Sequence, residues 1–384
     1  MNINPFIVSG KIDPKYFCDR IKETENLIHL INNQNNVILV SPRRMGKTGL
    51  IKHCFDKKEI KENYITFYLD ILQTTSLREF TFLLGREIYD SLVPRSKKIA
   101  ERFITVLKSI NGKLSYDPIS HNPTFSFSIG EITNPEYTLK EIFQFLENAG
   151  RRCLVAIDEF QQITKYPEKN VEAILRTFIQ NCSNCNFIFA GSRRHILHEM
   201  FFYASRPFYN SASVVELSAI PKDIYSEFVV KMFKEHKKLI NKEDVCLVYD
   251  MFEGYTFYLQ RIFNQAFSTT MPKETCSRRE LEDALHSSVQ LNVTMYRELL
   301  SNIPENQKEV LYAIAKNGKV TKPTSGEFIK ENGLKSASSV QGALRKLIDM
   351  DLVSKEENTY FLTDKFLSFW IDQTYGKPVK LISF

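Results

Sequence analysis

The sequence predicts an α/β protein whose core is a parallel five-stranded sheet flanked by helices, followed by an all-helical segment and a small C-terminal domain of helices with a β-hairpin. Three observations predict it. Between residues 37 and 217, short runs of β-branched and aromatic residues with no polar face alternate with helix-period stretches, the pattern of strands buried on both faces. Over residues 221–302 apolar side chains recur only at helical spacing. After Pro304, three helical stretches lead into two short alternating runs joined by a tight turn. The 384 residues have room for two or three such units, and a composition 43% apolar and 25% charged is that of a globular chain rather than a disordered one.

No apolar run is long enough to cross a bilayer, and the first ten residues lack the basic-then-apolar order of a signal peptide. Seven cysteines, an odd number scattered along the chain, fit reduced thiols better than a disulfide framework. A cytoplasmic protein with no membrane partner is the expectation. The formal net charge of +6 is spread over the whole chain and does not by itself imply a nucleic-acid partner.

The first strand, Val37-Ile38-Leu39-Val40, runs into Ser41-Pro42-Arg43-Arg44-Met45-Gly46-Lys47-Thr48, which has the spacing of a phosphate-binding P-loop opening a helix over residues 48–55. In such a loop backbone N–H groups and the helix N-terminus face the anion. Gly46 lets the backbone close on it, Lys47 reaches the outer phosphates, and Thr48 supplies a ligand for magnesium. Ser41 through Gly49 are therefore the expected nucleotide-contacting residues. Ser41 stands where the usual pattern has its first glycine; forced to positive φ it would cost about 1–2 kcal/mol.

Ahead of the loop, Asn4-Pro5-Phe6 and Tyr16-Phe17-Cys18-Asp19-Arg20 precede an amphipathic helix carrying Leu27, Ile28, Leu30 and Ile31. Segments in this position often pack on a nucleotide base, which makes Phe6, Phe17 and Arg20 candidates for a base pocket; capping the sheet is the alternative. Tyr64-Ile65-Thr66-Phe67-Tyr68-Leu69-Asp70 is the second strand. Asp70 falls at its carboxyl end, where ligands of open α/β sheets gather, but it is better read as the cap of a helix beginning near Ser76. Helices rich in Phe, Leu and Ile are expected over residues 77–93 and 100–110. Lys113-Leu114-Ser115 and Thr124-Phe125-Ser126-Phe127-Ser128-Ile129 then alternate across a Pro/Asn turn region, so a β-hairpin inserted at the sheet's periphery is expected over about residues 111–133.

Arg152-Cys153-Leu154-Val155-Ala156-Ile157-Asp158-Glu159 is the second decisive stretch. A buried strand ends in two adjacent carboxylates, which places Asp158 to hold magnesium and Glu159 to polarise an attacking water. Alone it reads as a strand with an acidic turn; joined with the loop it becomes a Walker B strand with a catalytic glutamate. A helix over residues 171–182 leads to Asn186-Phe187-Ile188-Phe189-Ala190-Gly191-Ser192, another buried strand, whose terminal hydroxyl on Ser192 can contact the γ-phosphate or the water. Arg193, Arg194 and Arg206 follow. An arginine stabilising a transferring phosphoryl is worth about 10³–10⁵ in rate. Arg206, in Ser205-Arg206-Pro207-Phe208-Tyr209, is the preferred finger or nucleotide-state sensor, with a solvated basic surface as the alternative for each arginine. Val214-Val215-Glu216-Leu217 supplies the fifth strand.

In this order SPRRMGKTGL, CLVAIDEFQQI, NFIFAGSRRHIL, RPFYNSASVVELSAI and GYTFYLQRIFNQAF resemble the prokaryotic ATPase-domain family often called archaeal-type ATPases, in the AAA+ and STAND group of P-loop NTPases near the origin-recognition ATPases. The resemblance covers nearly the whole chain. It implies an ATPase using ATP and Mg2+, with a five-stranded nucleotide-binding domain, a helical lid and a C-terminal winged helix. The catalytic set would be Glu159, Lys47, Ser192 and Arg206, with Thr48 and Asp158 on the metal. Gly254-Tyr255-Thr256-Phe257-Tyr258 matches the family's lid pattern, Gly-x-Pro-Tyr-Tyr, with Thr256 where proline is usual.

The expected domains are an ATPase core over residues 1–220, a lid over 221–303 and a winged helix over 304–384. In the lid, Ile224, Phe228, Val229, Met232 and Phe233 recur at helical spacing, as do Leu259, Ile262, Phe263 and Phe267; such stripes are core far more often than binding sites. A helical layer of this kind can close over nucleotide and report its state. The winged helix has helices over 308–316, 325–332 and 338–348 and a hairpin turning at Glu356-Glu357-Asn358. Its third helix would enter a major groove with Ser338, Ser339, Gln341, Arg345 and Lys346 facing DNA. Residues 301–384 carry twelve Lys/Arg against ten Asp/Glu, little excess for a phosphate-tracking surface, so docking to a protein stands beside DNA binding. Two readings remain, an ATPase enzyme and a slow-turnover switch, and a finger acting in trans would require a homo-oligomer.

Overall fold

A computed structural model of the chain describes residues 4–10, 12–109, 113–116, 123–126 and 128–375. It contains two compact units, Lys11–Ile220 and Met1–Gly10 with Pro221–Phe384. Among the described residues no helix is long and apolar enough to cross a membrane.

The first unit is built on β1 (Val37–Val40), β2 (Tyr64–Asp70), a peripheral pair β3 (Lys113–Tyr116) and β4 (Pro123–Ser126), then β5 (Arg152–Asp158), β6 (Cys185–Gly191) and β7 (Ser213–Glu216). Five of these make one parallel sheet in the order β2-β5-β6-β1-β7. Successive side chains of a strand point to opposite faces, and here both faces are dry. Val37 and Leu39, Leu154 and Ala156, and Ile188 and Ala190 join one core with Leu27, Ile31, Leu50 and Ile51 of the helices Ile21–Asn32 and Lys47–Asp56. Ile38, Phe67, Val155, Phe187 and Phe189 join the other, with the helices Leu77–Leu92, Pro135–Glu147 and Val171–Gln180. This double burial is why the strands read as unbroken apolar runs.

Three local expectations are corrected. The helix expected over 100–110 is Lys97–Val106, because the Ser96 hydroxyl accepts the Ile99 N–H and starts it earlier. The helix Leu77–Leu92 is capped by Ser76, not Asp70, whose carboxylate accepts the Leu72 N–H at 2.9 Å. The helix Pro135–Glu147 was not anticipated, although Asn134 caps it with Pro135 in its first turn. β3 and β4 pair antiparallel, Lys113 opposite Ser126; the expected turn between them and Phe127 lie outside the described residues.

In the second unit five helices, Lys222–Glu235, Lys242–Met251, Thr256–Thr269, Arg278–Gln290 and Val293–Ser301, are joined by a two-residue parallel pair, β8 (Leu239–Ile240) with β9 (Thr275–Cys276). Phe6 is fully buried in this helical layer against Phe228, Phe233, Phe263 and Phe267, so it is core and has no ring face left for a base. Beyond it come the helices Glu305–Asn317, Gly326–Glu331 and Ala337–Asp349, the antiparallel hairpin β10 (Val353–Glu356) and β11 (Thr359–Leu362), and a last helix, Lys365–Tyr375. That helix was not foreseen; it buries Phe366, Leu367, Trp370 and Ile371.

Candidate functional site

β1 lies between β6 and β7, with β5 beyond β6, so the carboxyl ends of β5, β6 and β1 stand side by side. That is where an open parallel sheet collects its ligand. The loop leaving β1 is strained at Arg44 (φ 67°) and turns through Gly46 (φ 91°). Ser41 is fully buried and outside the left-handed region, so the strain expected there falls on Arg44 instead. Met45 is buried, and its carbonyl accepts from the guanidinium of Arg20 at 3.3 Å. Arg20 also pairs with Glu23 at 2.7 Å, so its bonds brace the loop rather than point to a base. Phe17 stacks on His53 with centroids 3.9 Å apart, and a Cβ at Gly49 would stand 3.7 Å from the Phe17 ring.

Lys47 opens the helix Lys47–Asp56 and is only 8% exposed. Burial pulls its pKa down, while the charges of Asp158 and Glu159 oppose the shift. Thr48 Oγ1 donates to Asp158 Oδ2 at 2.8 Å. The Tyr68 hydroxyl donates to the same oxygen at 2.8 Å, and the Glu159 N–H donates to Oδ1 at 3.0 Å. Asp70, the register partner of Asp158 on β2, has its pKa raised by burial; the bond from the Leu72 N–H opposes this, and the charges of Asp158 and Glu159 add to it.

Glu159 sits in the left-handed region (φ 56°, ψ 38°). Its Oε2 accepts from Ser192 Oγ at 2.9 Å and from Gln161 Nε2 at 2.5 Å. Ser192 in turn accepts from Arg43 Nε at 3.1 Å, which ties the loop to the end of β6. Burial lowers the pKa of Arg43, with Glu159 opposing and Arg193 and Arg44 adding to the shift. Lys165 is lowered by burial, Arg193 and Arg43. Like charges so gathered are relieved by a polyanion among them. Arg206 takes no part in the described bonds around Glu159; it pairs with Glu172 of the helix Val171–Gln180. Tyr68 and Gln161 were missed. Tyr68 shares a face with Asp70 in a period-two strand and was in principle readable; nothing in the sequence marked Gln161.

Among the described residues no three His, Cys, Asp or Glu side chains are arranged to hold a metal by themselves. The oxygens of Thr48 and Asp158 are the kind of donors magnesium takes in ones or twos, with phosphate and water completing its shell. Thr48 gives its proton to Asp158, which leaves Oγ1, with the Tyr68 hydroxyl 3.5 Å away, as an acceptor for a cation.

The second unit carries a groove of about 750 Å³ between the helix Ala337–Asp349 and the hairpin, lined by Lys322, Ser325, Ser338, Gln341, Arg345 and Lys355. Ser338, Gln341 and Arg345 are thus in it; Ser339 and Lys346 are not among the lining residues.

Residues 17–262 match the family model of an ATPase domain predominantly from Archaea, and residues 294–373 match one described as "Probable winged helix domain". The chain is similar to two uncharacterized ATP-binding proteins of Methanocaldococcus jannaschii. One is 24% identical over 324 residues, covering 78% of this chain and 87% of the relative. The other is 21% identical over 324 residues, covering 77% and 83%. Among solved structures, a Walker-type ATPase of Pyrococcus abyssi superposes with a TM-score of 0.66 at 18% identity, covering 96% of this chain and 99% of that one. The ORC2 protein of Aeropyrum pernix, as its ADPNP–ADP complexes, gives 0.59 at 14% identity, covering 96% and 97%. These two share the fold.

Proposed function

Because the chain belongs to the family of ATPase domains found predominantly in Archaea, and is an ATP-binding protein of the P-loop NTPase class, we propose that it hydrolyses ATP with magnesium at the loop it closes between β1 and β5. The observation that carries this reading is the bond from Thr48 to Asp158, which joins the phosphate loop to the acidic strand end across 110 residues. Thr48 and Asp158 would hold the magnesium ion, which when bound neutralises charge on the β- and γ-phosphates. The N–H groups of residue 41 and residues 43–49 cradle the phosphates, Pro42 having none to give, and Lys47 adds its charge. Glu159 takes the proton of the attacking water, whose oxygen bonds to the γ-phosphorus as ADP leaves, and Ser192, which gives its own proton to Glu159, contacts that water. Glu159→Gln should abolish turnover while ATP binding persists; undiminished hydrolysis would falsify this assignment. Use of Arg206 as a finger in a neighbouring subunit requires breaking its pair with Glu172, and sizing with and without ATP tests for that homo-oligomer.

In this proposal residues 221–303 act as the lid and 304–384 as the winged helix, both moving with nucleotide state. Glu253, next to the lid motif, supports the coupling: it accepts from Lys319 at 2.7 Å and from Lys365 at 2.8 Å. A second reading, a slow switch whose winged helix binds DNA or docks a protein, is favoured by Lys322, Arg345 and Lys355 in one groove. Steady-state turnover with and without duplex DNA at low salt separates the two; fast basal turnover counts against the switch. A reducing, cytoplasmic setting fits seven free thiols.

A further inference from the structure

Gln161 is a polar residue of the site that neither motif accounts for. It is 3% exposed, and its Nε2 donates to Glu159 Oε2, the same oxygen that accepts from Ser192. Among the described residues its own Oε1, which is buried, has no hydrogen-bond partner. The backbone is shaped to admit the amide: a Cβ on Gly191 would stand 2.0 Å from Oε1 and 3.2 Å from Cδ, so any other residue at 191 displaces it. A buried amide with its carbonyl unsatisfied is a burden on folding, and a thioether of similar shape would not carry that burden. Stability therefore does not explain Gln161. What the amide supplies is a donor at a fixed point on the carboxylate of Glu159.

We infer that Gln161 is a positioning residue for hydrolysis. Together with Ser192 it pins Oε2 of Glu159, so that Oε1 is the oxygen left to take a proton. This rests on the reading of Glu159 as the base. In the step it serves, Oε1 takes one proton of the water while the water oxygen bonds to the γ-phosphorus and the bond from that phosphorus to the bridging oxygen of ADP breaks. A carboxylate free to turn presents the wrong oxygen, and a misplacement of about 1 Å costs on the order of 10²-fold in rate.

The test is Gln161→Met in the full chain, read by kcat, by the Kd for ATP and by thermal melting. Expected are a kcat about 10- to 100-fold lower, a Kd within about twofold of the parent, and a Tm unchanged or raised. A side chain that only packs would give the opposite split, with kcat falling only as far as Tm falls, and that result overturns the inference. Gly191→Ala keeps the amide but displaces it and should lower kcat likewise. If Gln161→Met gives no cooperative melt, Gln161→Asn, which holds the donor out of reach, is read the same way. Glu159→Gln is assayed alongside. Should it still turn over, the base reading falls and takes this inference with it. If it is inactive while Gln161→Met keeps kcat within twofold of the parent, the role of Gln161 alone is overturned.

Discussion

Asp158 receives three hydrogen bonds, two of them on Oδ2, and this decides what its neighbours can offer a cation. Thr48 gives its only proton to Asp158, so its oxygen is left as an acceptor. The Tyr68 hydroxyl donates to the carboxylate at 2.8 Å and stands 3.5 Å from Thr48 Oγ1, so it steadies both partners. Burial and the Asp158 charge both push the Tyr68 pKa up, so it remains a donor at any working pH. Tyr68→Phe should therefore leave the nucleotide site assembled but loosen Asp158, raising the half-saturating magnesium concentration for hydrolysis about 3- to 10-fold, the effect of one hydrogen bond worth about 1 kcal/mol. A magnesium titration unchanged by the substitution would mean that Thr48 and the Glu159 N–H suffice. The contrast between these residues also shows what the sequence could reveal. Lys47, Thr48, Asp158 and Glu159 stood out as candidates because phosphate and metal chemistry demands those types beside a strand end, and the structure gathers them in one cluster. Gln161 acts on another side chain, and nothing in the chemistry of ATP asks for an amide two residues past a glutamate. Phe6 is core and Arg20 bonds to the loop, and the sequence left these roles open because a cation or ring ahead of the loop serves equally well for bracing, for core and for a base.

At the scale of elements, legibility followed burial. Strands dry on both faces announce themselves as apolar runs, and all five of the parallel sheet were found. Helix ends depended on single caps, and the end near Ser96 was missed by three residues because a lone serine is a weak signal beside an apolar stripe. The junction between the helical layer and the winged helix was marked in the sequence by the Gly254 motif, but its contacts were not. Glu253 stands in the left-handed region (φ 51°), just ahead of the Gly254 motif, and pairs with Lys319 and Lys365. Tyr258 of that motif donates to the Thr363 carbonyl at 3.4 Å and accepts the Lys365 N–H at 2.9 Å, and its ring packs against Phe366. Burial pushes the Glu253 carboxyl up, but the bonds from Lys319 and Lys365 outweigh it and hold the pKa below the usual value of 4.5. A depressed carboxylate stabilises the fold above its unfolded pKa and loses that contribution as pH falls through the folded one. At 40% exposure the pair is well screened, so Glu253→Gln should cost no more than about 1 kcal/mol at pH 7 in low salt. The loss should shrink when urea midpoints are remeasured in 1 M salt or at pH 3; a loss that ignored both would point to packing instead.

Across the whole molecule, buried thiols tie stability to alkaline pH. Burial pushes Cys18 and Cys54 from 9.0 up to about 12 and Cys276 up to about 11. The first two lie in the sheet unit and the third in the helical one, so both units are exposed to the same hazard. Below pH 9 these thiols are protonated in both states and pH is without effect. Above it the unfolded chain releases protons that the folded chain keeps, and stability falls by about 1.4 kcal/mol per pH unit for each thiol until its folded pKa is reached. Lys47 works the other way: its folded pKa lies below 10.5, so the unfolded chain holds the proton longer and stability is gained as pH rises toward 10.5. Comparing a variant with its parent at each pH removes the amine and every other shared group. Cys54→Ala should be less stable at pH 8 by about 1–2 kcal/mol, because it leaves a small void beside Leu50 and Ile51. From pH 9 upward that gap should close at about 1.4 kcal/mol per pH unit and reverse near pH 10.5, in urea melts run under a reducing agent. A gap that stays constant to pH 11 would show that the folded thiol ionises as readily as the unfolded one, and that the core around Cys54 admits water.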